Sequence, residues 1–345
     1  MLTAEFAPYT LHFNFTAITS RQSMNVKDTY FVRISDTEHN GLCGIGEVAL
    51  FRGLSADDRP DFESVLRKAC QEPQNIGSYR NYSSIRFGIE TAMASLAGSF
   101  DDSPWSKGQE GILINGLIWM GDKKLMAERI HRKLSEGFRC LKLKIGGINF
   151  DDELDLIRYI RKKFSPEQLE LRLDANGSFS PENALSRLES LSAFSIHSIE
   201  QPIRAGNTTE MARICKESPI DIALDEELIG VTPDKVKQQM LEYVSPRYII
   251  LKPALCGGFD ESEHWIDAAS RLGIRWWATS ALESNIGLAA IARWVSTKKT
   301  TMVQGLGTGG LYTNNIASPL RLCGDRLYYD SERSWGKIPV KFERP

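Results

Sequence analysis

The chain begins with strict alternation of apolar and polar positions. Leu11, Phe13 and Phe15 are separated by His12 and Asn14, the period of two expected of a strand with one buried face. Residues 29–34 and 46–50 predict two further strands, and the polar stretch 16–26 predicts a loop joining the first pair. Helical patterns follow near 56–70 and 84–98. The first hundred residues therefore predict a small α+β unit.

From about Gly111 the rhythm changes. Short apolar runs now alternate with amphipathic stretches of helical period. The runs cover 112–116, 140–145, 169–173, 195–199, 220–224, 248–251, 274–278 and 301–303. The segments between them carry helix-start signals. Ser180 and Thr232 are each followed by proline, an N-cap residue before a first-turn proline. Asp151 and Asp152 place negative charge where a helix dipole favours it. Eight such units in succession predict a (β/α) barrel. An open doubly wound sheet is the competing arrangement, but no dinucleotide fingerprint follows the first strand.

Composition narrows the function classes. The chain has 345 residues, 42% hydrophobic and 25% charged, with a formal net charge of −2. That balance argues against general affinity for nucleic acid or acidic membranes, which requires concentrated basic charge. No apolar stretch approaches the roughly 18 residues of a membrane span, and the first residues lack a basic start followed by an apolar run. None of Cys43, Cys70, Cys140, Cys215, Cys256 and Cys323 stands at a C-x-x-C spacing. Free thiols in a reducing compartment are expected, with the cytoplasm as location. The sequence sets no oligomeric state.

The candidate chemistry lies at the ends of the apolar runs. The second run ends in Lys142 and Lys144, the third in Asp174 and the fourth in Glu200. The fifth ends in Asp225 and Glu226 and the sixth in Lys252, and Glu283 lies just beyond the seventh. From Lys144 to Asp174, Glu200, Asp225 and Lys252 the spacings are 30, 26, 25 and 27 residues, each about one βα unit. Residues one unit apart at barrel strand ends stand side by side at the mouth where barrel enzymes do their chemistry.

Three adjacent carboxylates repel and raise one another's pKa, and a hard divalent cation resolves the conflict. Oxygen ligands without His or Cys point to Mg²⁺, with Mn²⁺ as a substitute. Such an ion acidifies the proton beside a bound carboxylate, and Lys144 is placed to take it, with Lys142 beside it as a tuning charge. Each of these residues alone would read as a cap, a turn or a solvated charge. The ordered set on five successive strands is what points to chemistry.

Other features carry less. None of the five histidines ends a barrel run; His197 lies inside the fourth. Gly305, Gly307, Gly309 and Gly310 suit either a phosphate cradle or a tight loop. Of the adjacent Trp276 and Trp277, at least one ring is expected to pack. A Schiff-base aldolase built on Lys252 would leave the three carboxylates without a role, and a non-catalytic binding protein would have little use for five converging charges.

On the Lys142-Leu143-Lys144 pair, the carboxylates Asp174, Glu200 and Asp225, and Lys252, the chain resembles the enolase superfamily, specifically its muconate-lactonizing subgroup. A Lys or His base working with magnesium is a known pattern of that superfamily. The resemblance implies an α/β fold: a modified (β/α)8, or (β/α)7β, TIM-type barrel with an α+β capping domain. Residues 1–103 would form the cap, 104–319 the catalytic barrel, and 320–345 a segment returning to the cap.

The phrases GEVALFRGLS (46–55), SIRFGIETA (84–92), INGLIWMG (114–121), LKPALCGG (251–258), TSALESNIGLAAIARW (279–294) and GLGTGGLYTNN (305–315) are similar to dehydratases of the subgroup. The implied reaction is Mg²⁺-dependent syn-dehydration of a small cyclic carboxylate through an enediolate. Lys144 and Lys252 would be catalytic, and Asp174, Glu200 and Asp225 would hold the metal. Lys142, Asn176 and Glu226 would orient or tune them. Ser280, Glu283, Ser284 and Gly305, with the 16–26 loop, would surround the substrate's tail. Dipeptide epimerases of the subgroup carry an Asp-x-Asp after the last strand, where residues 304–310 here contain no acid. Racemisation of an N-acylated amino acid is the implied alternative.

Overall fold

A computed structural model describes residues 2–18, 23–38 and 42–345. Its first layer is an antiparallel sheet of β1 (Leu2–Ile18), β2 (Ser23–Asp36) and β3 (Cys43–Val48). The predicted strands are present and longer than the apolar pattern suggested. Most of the expected loop at 16–26 is ladder, because Ala17 pairs with Met24 and Ile18 with Ser23 past a register shift between His12 and Ala17. Backbone pairing needs no apolar side chain, so polar residues extend the ladder. Residues 19–22 lie outside the described residues.

Two helices cover one face of this sheet: α1 (Phe62–Gln71) and α2 (Ser83–Leu96). α1 starts six residues later than its pattern predicts, just after Pro60, which disfavours helical geometry in the residue before it. Phe6, Val32, Ile34 and Val48 meet Leu66, Ile85 and Ile89 in a separate apolar core. α2 lies almost against the strand backbone. A methyl group added at Gly46 would stand 2.0 Å from the Gly88 carbonyl and 2.5 Å from Thr91 Oγ1.

The second body is the barrel. β4 (Ile112–Leu113) is followed by seven parallel strands: β5 (Gly116–Ile118), β6 (Cys140–Lys144), β7 (Glu170–Asp174), β8 (Ser198–Glu200), β9 (Ile222–Leu224), β10 (Tyr248–Leu251) and β11 (Arg275–Ala278). Between and after them run α3 (Lys123–Ser135), α4 (Phe150–Lys163), α5 (Ala184–Ser192), α6 (Thr208–Glu217), α7 (Asp234–Val244), α8 (Pro253–Cys256), α9 (Gly258–Arg271) and α10 (Asn285–Ser296). The first predicted run splits: β4 leaves the ring to pair with β13 (Arg326–Tyr329), which also pairs with β12 (Leu320–Cys323).

The eighth run, 301–303, forms no strand. Closure falls one residue later, where Gln304 bridges Ile114 and Gly305 bridges Thr279, both parallel. The Gln304 side chain reinforces the seam by accepting from the Ala278 N–H at 2.8 Å. This is a TIM-type barrel whose last strand is reduced to two bridges.

Several contacts tie the two bodies. Phe13 bridges Tyr312, and Phe6 bridges Glu343 near the chain's end. Arg86 on α2 reaches Glu261 on α9 at 2.8 Å with both side chains buried. Glu90 accepts from the Phe259 N–H at 2.6 Å. Among the described residues, no helix is long and apolar enough to cross a membrane.

The contact of α2 with β3 gives a direct test. Gly46→Ala is expected to lower stability by about 2 kcal/mol, the usual scale of overpacking, read by thermal melting. Gly77→Ala, whose added methyl would meet nothing within 4 Å, is the control and should melt close to the parent.

Candidate active site

Strand alternation delivers the charged residues to one place. On β6, Leu141 and Leu143 are buried in the main core, so Lys142 and Lys144 point to the barrel axis. The register sets Lys144 beside Asp174 and Asp174 beside Glu200. Asp225 and Lys252 follow one residue beyond β9 and β10. Asp174, Glu200 and Asp225 are exposed by only 1–2%.

The Lys142 and Lys144 ammonium groups each lie 3.0 Å from Asp174 Oδ2. Lys252 contacts Asp225. Asn176 organises this corner from a left-handed backbone position, φ 44°. Its Oδ1 accepts from Lys144 Nζ at 2.7 Å, its N–H donates to Asp174 Oδ1 at 3.0 Å, and its Nδ2 donates to Glu226 Oε1 at 3.3 Å.

Burial alone would push the Asp174 carboxyl upward, but Lys142, Lys144 and Lys252 outweigh it and hold it below the usual range. For Glu200, burial and then the Asp174 charge dominate, and its pKa stands well above the ordinary carboxylate value. Burial would lower Lys142 and Lys252, but the carboxylates hold both above the ordinary lysine value. Glu200 is thus the carboxylate least compensated by the protein. Neither of its oxygens has a hydrogen-bond partner, and Lys142, 2.5 Å from Oε2, offers charge without hydrogen-bonding geometry. Two bare, buried oxygens beside Asp174 and Asp225 fit a hard divalent cation.

Above the charges is a cavity of about 200 Å³. Lys142, Lys144, Asp174, Asn176, Glu226 and Lys252 line one side, and Thr279, Ser280, Ala281, Leu282, Gly305 and Gly307 another. Phe51, Leu54, Leu117, Trp119 and Leu255 add apolar surface.

The profile of the family described as Enolase C-terminal domain-like matches residues 125–320 of this chain. The chain belongs to the enolase superfamily. Its members use a divalent metal. The chain is 44% identical to an o-succinylbenzoate synthase of Desulfotalea psychrophila, over 92% of this chain and 96% of that one. Its fold superposes on the crystal structure of MenC from the same organism with TM-score 0.82 and 40% identity, covering 95% and 99% of the two chains. The muconate lactonizing enzyme of Pseudomonas fluorescens has the same fold, with TM-score 0.80 at 20% identity over 99% and 96%.

Within this superfamily frame the site departs from expectation in a few places. Glu283 and Ser284, expected at the substrate, do not face the cavity. Glu283 is fully buried behind the wall, where its Oε2 accepts from Ser280 Oγ at 2.6 Å. Ser284 is the N-cap of α10; its Oγ accepts from the Ile286 N–H at 3.1 Å and donates to Glu47 Oε2 at 2.6 Å. A serine before an apolar helix is first a cap. Lys142 is turned to Asp174 and Glu200, and the one carboxylate that it shares with Lys144 is Asp174. Gly305 lines the cavity, and its lack of a side chain serves the barrel seam: a Cβ there would stand 2.2 Å from Thr279 Oγ1. Both tryptophans of the seventh run pack, Trp277 under Arg172 and Trp276 against Trp294.

Sequence reasoning passed over Trp119, whose ring lies 5.7 Å from Lys144 Nζ, inside cation–π range. It lies one residue beyond β5, but an indole carries no charge to mark a strand end. One carboxylate–histidine cluster lies elsewhere, at Asp234, Glu261 and His264. Lys237 contacts both carboxylates there, and Arg80 and Arg86 also reach Glu261. It is a salt-bridge hub already supplied with cations.

His197 sits at the barrel's opposite end, stacked on Tyr248 at 4.9 Å. Burial lowers its pKa from 6.5 to about 4. Between those values the unfolded chain binds the proton that the folded chain refuses, so stability falls as pH drops through that window. Relative to His197→Phe, the parent should lose about 3 kcal/mol more between pH 6.5 and 4, measured by urea unfolding at stepped pH.

Proposed function

We propose that this chain is an o-succinylbenzoate synthase, converting 2-succinyl-6-hydroxy-2,4-cyclohexadiene-1-carboxylate to o-succinylbenzoate and water, the dehydration that menaquinone synthesis requires. The observation that carries the reading is Lys144 and Lys252 flanking three buried carboxylates, in a chain 44% identical to such an enzyme nearly end to end. Asp174, Glu200 and Asp225 would hold Mg²⁺, or Mn²⁺ in its place. When bound, the cation supplies the positive charge that acidifies the proton beside the substrate carboxylate and stabilises the enediolate.

The chain's residues supply the rest. Lys144, as the neutral amine, takes the proton from the ring carbon bearing the carboxylate. The electron pair of that C–H bond forms the enediolate and then the new ring double bond as the C–O bond to the hydroxyl breaks. Lys144 returns its proton to the departing hydroxyl on the same face, which leaves as water. Asn176 holds the Lys144 ammonium in line through its Oδ1. Lys252, held charged by Asp225 and Glu200, faces the other side of the ring and stabilises the anion and the developing aromatic face. Residues 1–103 and 320–345 act as a cap over the barrel of 104–319. The six cysteines, all free thiols, suit a reducing cytoplasm.

A second reading shares the site. Lys144 and Lys252 on opposite faces could exchange an α-proton, racemising an N-acylated amino acid. The acid-free stretch 304–310 disfavours a free amine. Deuterium exchange without loss of water would favour that reading.

Two measurements test the proposal. With Mg²⁺, the diene absorbance should fall and o-succinylbenzoate appear; with EDTA neither should occur. Lys144→Ala should lower turnover by about 10³-fold or more while Mg²⁺ affinity by calorimetry changes little, and Asp174→Ala should lose that affinity. Equal loss of metal binding in both variants would contradict the role given to Lys144.

A further inference from the structure

The register of the barrel brings an aromatic ring to Lys144. Leu117 pairs with Lys142 and Ile118 with Leu143, so the next step of the ladder sets Trp119 beside Lys144. The indole is 6% exposed, lines the cavity, and has its centroid 5.7 Å from Lys144 Nζ. Among the described residues it is the only ring within cation–π range of Lys142, Lys144 or Lys252.

Lys144 is otherwise held by two acceptors, Asp174 Oδ2 at 3.0 Å and Asn176 Oδ1 at 2.7 Å. Both come from the β7 side of β6, whereas Trp119 comes from the β5 side. The ammonium is thus bracketed between two neighbouring strands. The acceptors draw it one way through hydrogen bonds, and the ring face attracts the same charge from the other. A lysine ammonium rides on a flexible four-carbon stem, so a contact from each side fixes where Nζ points.

The ring is itself braced. Phe15 of β1 meets it edge-on, with 5.7 Å between centroids and 69° between planes. Arg129 of α3 lies over the Phe15 ring at 5.4 Å. Its Nη1 also donates to the Trp119 carbonyl at 2.9 Å and to the Met120 carbonyl at 2.6 Å. From Arg129 through Phe15 and Trp119 to Lys144, cations stand at both ends of a stacked pair of rings. Trp119 also belongs to an apolar cluster with Leu11, Phe13 and Tyr312. Packing there asks for bulk and not for a π face, so the two roles predict different consequences when the ring is replaced.

We propose that Trp119 is a positioning residue: its indole face, braced by Phe15 of the N-terminal sheet and by Arg129 of α3, holds the Lys144 ammonium in line for proton transfer. The charge that Lys144 gains with the proton forms against this face, so the ring acts on the chemical step more than on substrate affinity. The inference rests on the synthase reading above.

The test uses the full chain with Mg²⁺ and compares Trp119→Phe, Trp119→Leu, Phe15→Leu and the double leucine variant with the parent. Trp119→Leu should lower kcat about 30-fold, the rate equivalent of the about 2 kcal/mol of a desolvated cation–π contact, with KM within about threefold. Trp119→Phe keeps a π face and should hold kcat within about fivefold of the parent. Phe15→Leu should slow turnover less than Trp119→Leu, and the double variant should be no slower than Trp119→Leu, because Phe15 acts through the ring. Magnesium affinity by calorimetry should match the parent in every variant. Biosynthetic replacement of tryptophan by increasingly fluorinated analogues keeps the shape and weakens the negative ring face. Across that series kcat should fall stepwise in the parent but not in Trp119→Phe, which retains every other tryptophan; this series decides if Trp119→Leu does not fold. Equal kcat in the phenylalanine and leucine variants would overturn the proposal, as would a rise in KM at unchanged kcat, effects of Phe15 and Trp119 that multiply, or no response to fluorination. Any of these with an active parent leaves the synthase reading standing. A parent without turnover overturns that reading and this inference with it.

Discussion

Everything at the barrel mouth depends on three carboxylates crowded together where water is nearly absent. Asp174, Glu200 and Asp225 stand on neighbouring strands at 1–2% exposure, and adjacent strands of a sheet are only about 4.8 Å apart. The protein's own lysines compensate them unequally. Asp174 has Lys142 and Lys144, and Asp225 has Lys252. Glu200 has only Lys142, shared with Asp174, and among the described residues neither of its oxygens takes a hydrogen bond. That imbalance is what the proposed cation would relieve.

The seam between cap and barrel meets the same difficulty with a different solution. Arg86 is matched by Glu261, Asp260 and Glu90, and Glu47 by the Thr29 and Ser284 hydroxyls and the Ser284 and Gly287 N–H donors. Arg86 and Glu47 are thus paired in place, which favours a fixed geometry over chemistry. Breaking such a pair leaves one charge stranded, so the register of cap on barrel is strongly specified.

The barrel and its charged mouth were legible because both follow from period. Alternation on β6 decides that Lys142 and Lys144 share a side, and a spacing near 26 residues places Asp174, Glu200, Asp225 and Lys252 around one ring. What could not be read was set by contacts distant in sequence. Glu283 was expected at the substrate, and only its hydrogen bond from Ser280 shows that it turns inward. Ser284 belonged to a helix start whose partner, Glu47, lies 237 residues away. The last strand was misplaced because closure is made by Gln304 and Gly305, a polar residue and a glycine that no apolar run marks. Trp119 escaped because its contribution is shape and a π face beside Lys144.

These differences divide the cavity by mechanical origin. The reacting groups project from strand ends or the residue just beyond, held by ladder bonds of a closed ring. The wall at Ser280–Leu282 is loop, and its conformation at Leu282 is unfavourable in isolation. A segment in that state keeps its shape only while its partners impose it; Glu283 holds Ser280 from behind, and Tyr312 ties Leu282 to the N-terminal hairpin, which it bridges at Phe13. The charged groups are therefore placed by the barrel's own ladder, while the Ser280–Leu282 wall of the cavity is placed partly by how the N-terminal sheet sits. Residues far from the charged groups can in this way reshape the wall and leave the arrangement of charges intact.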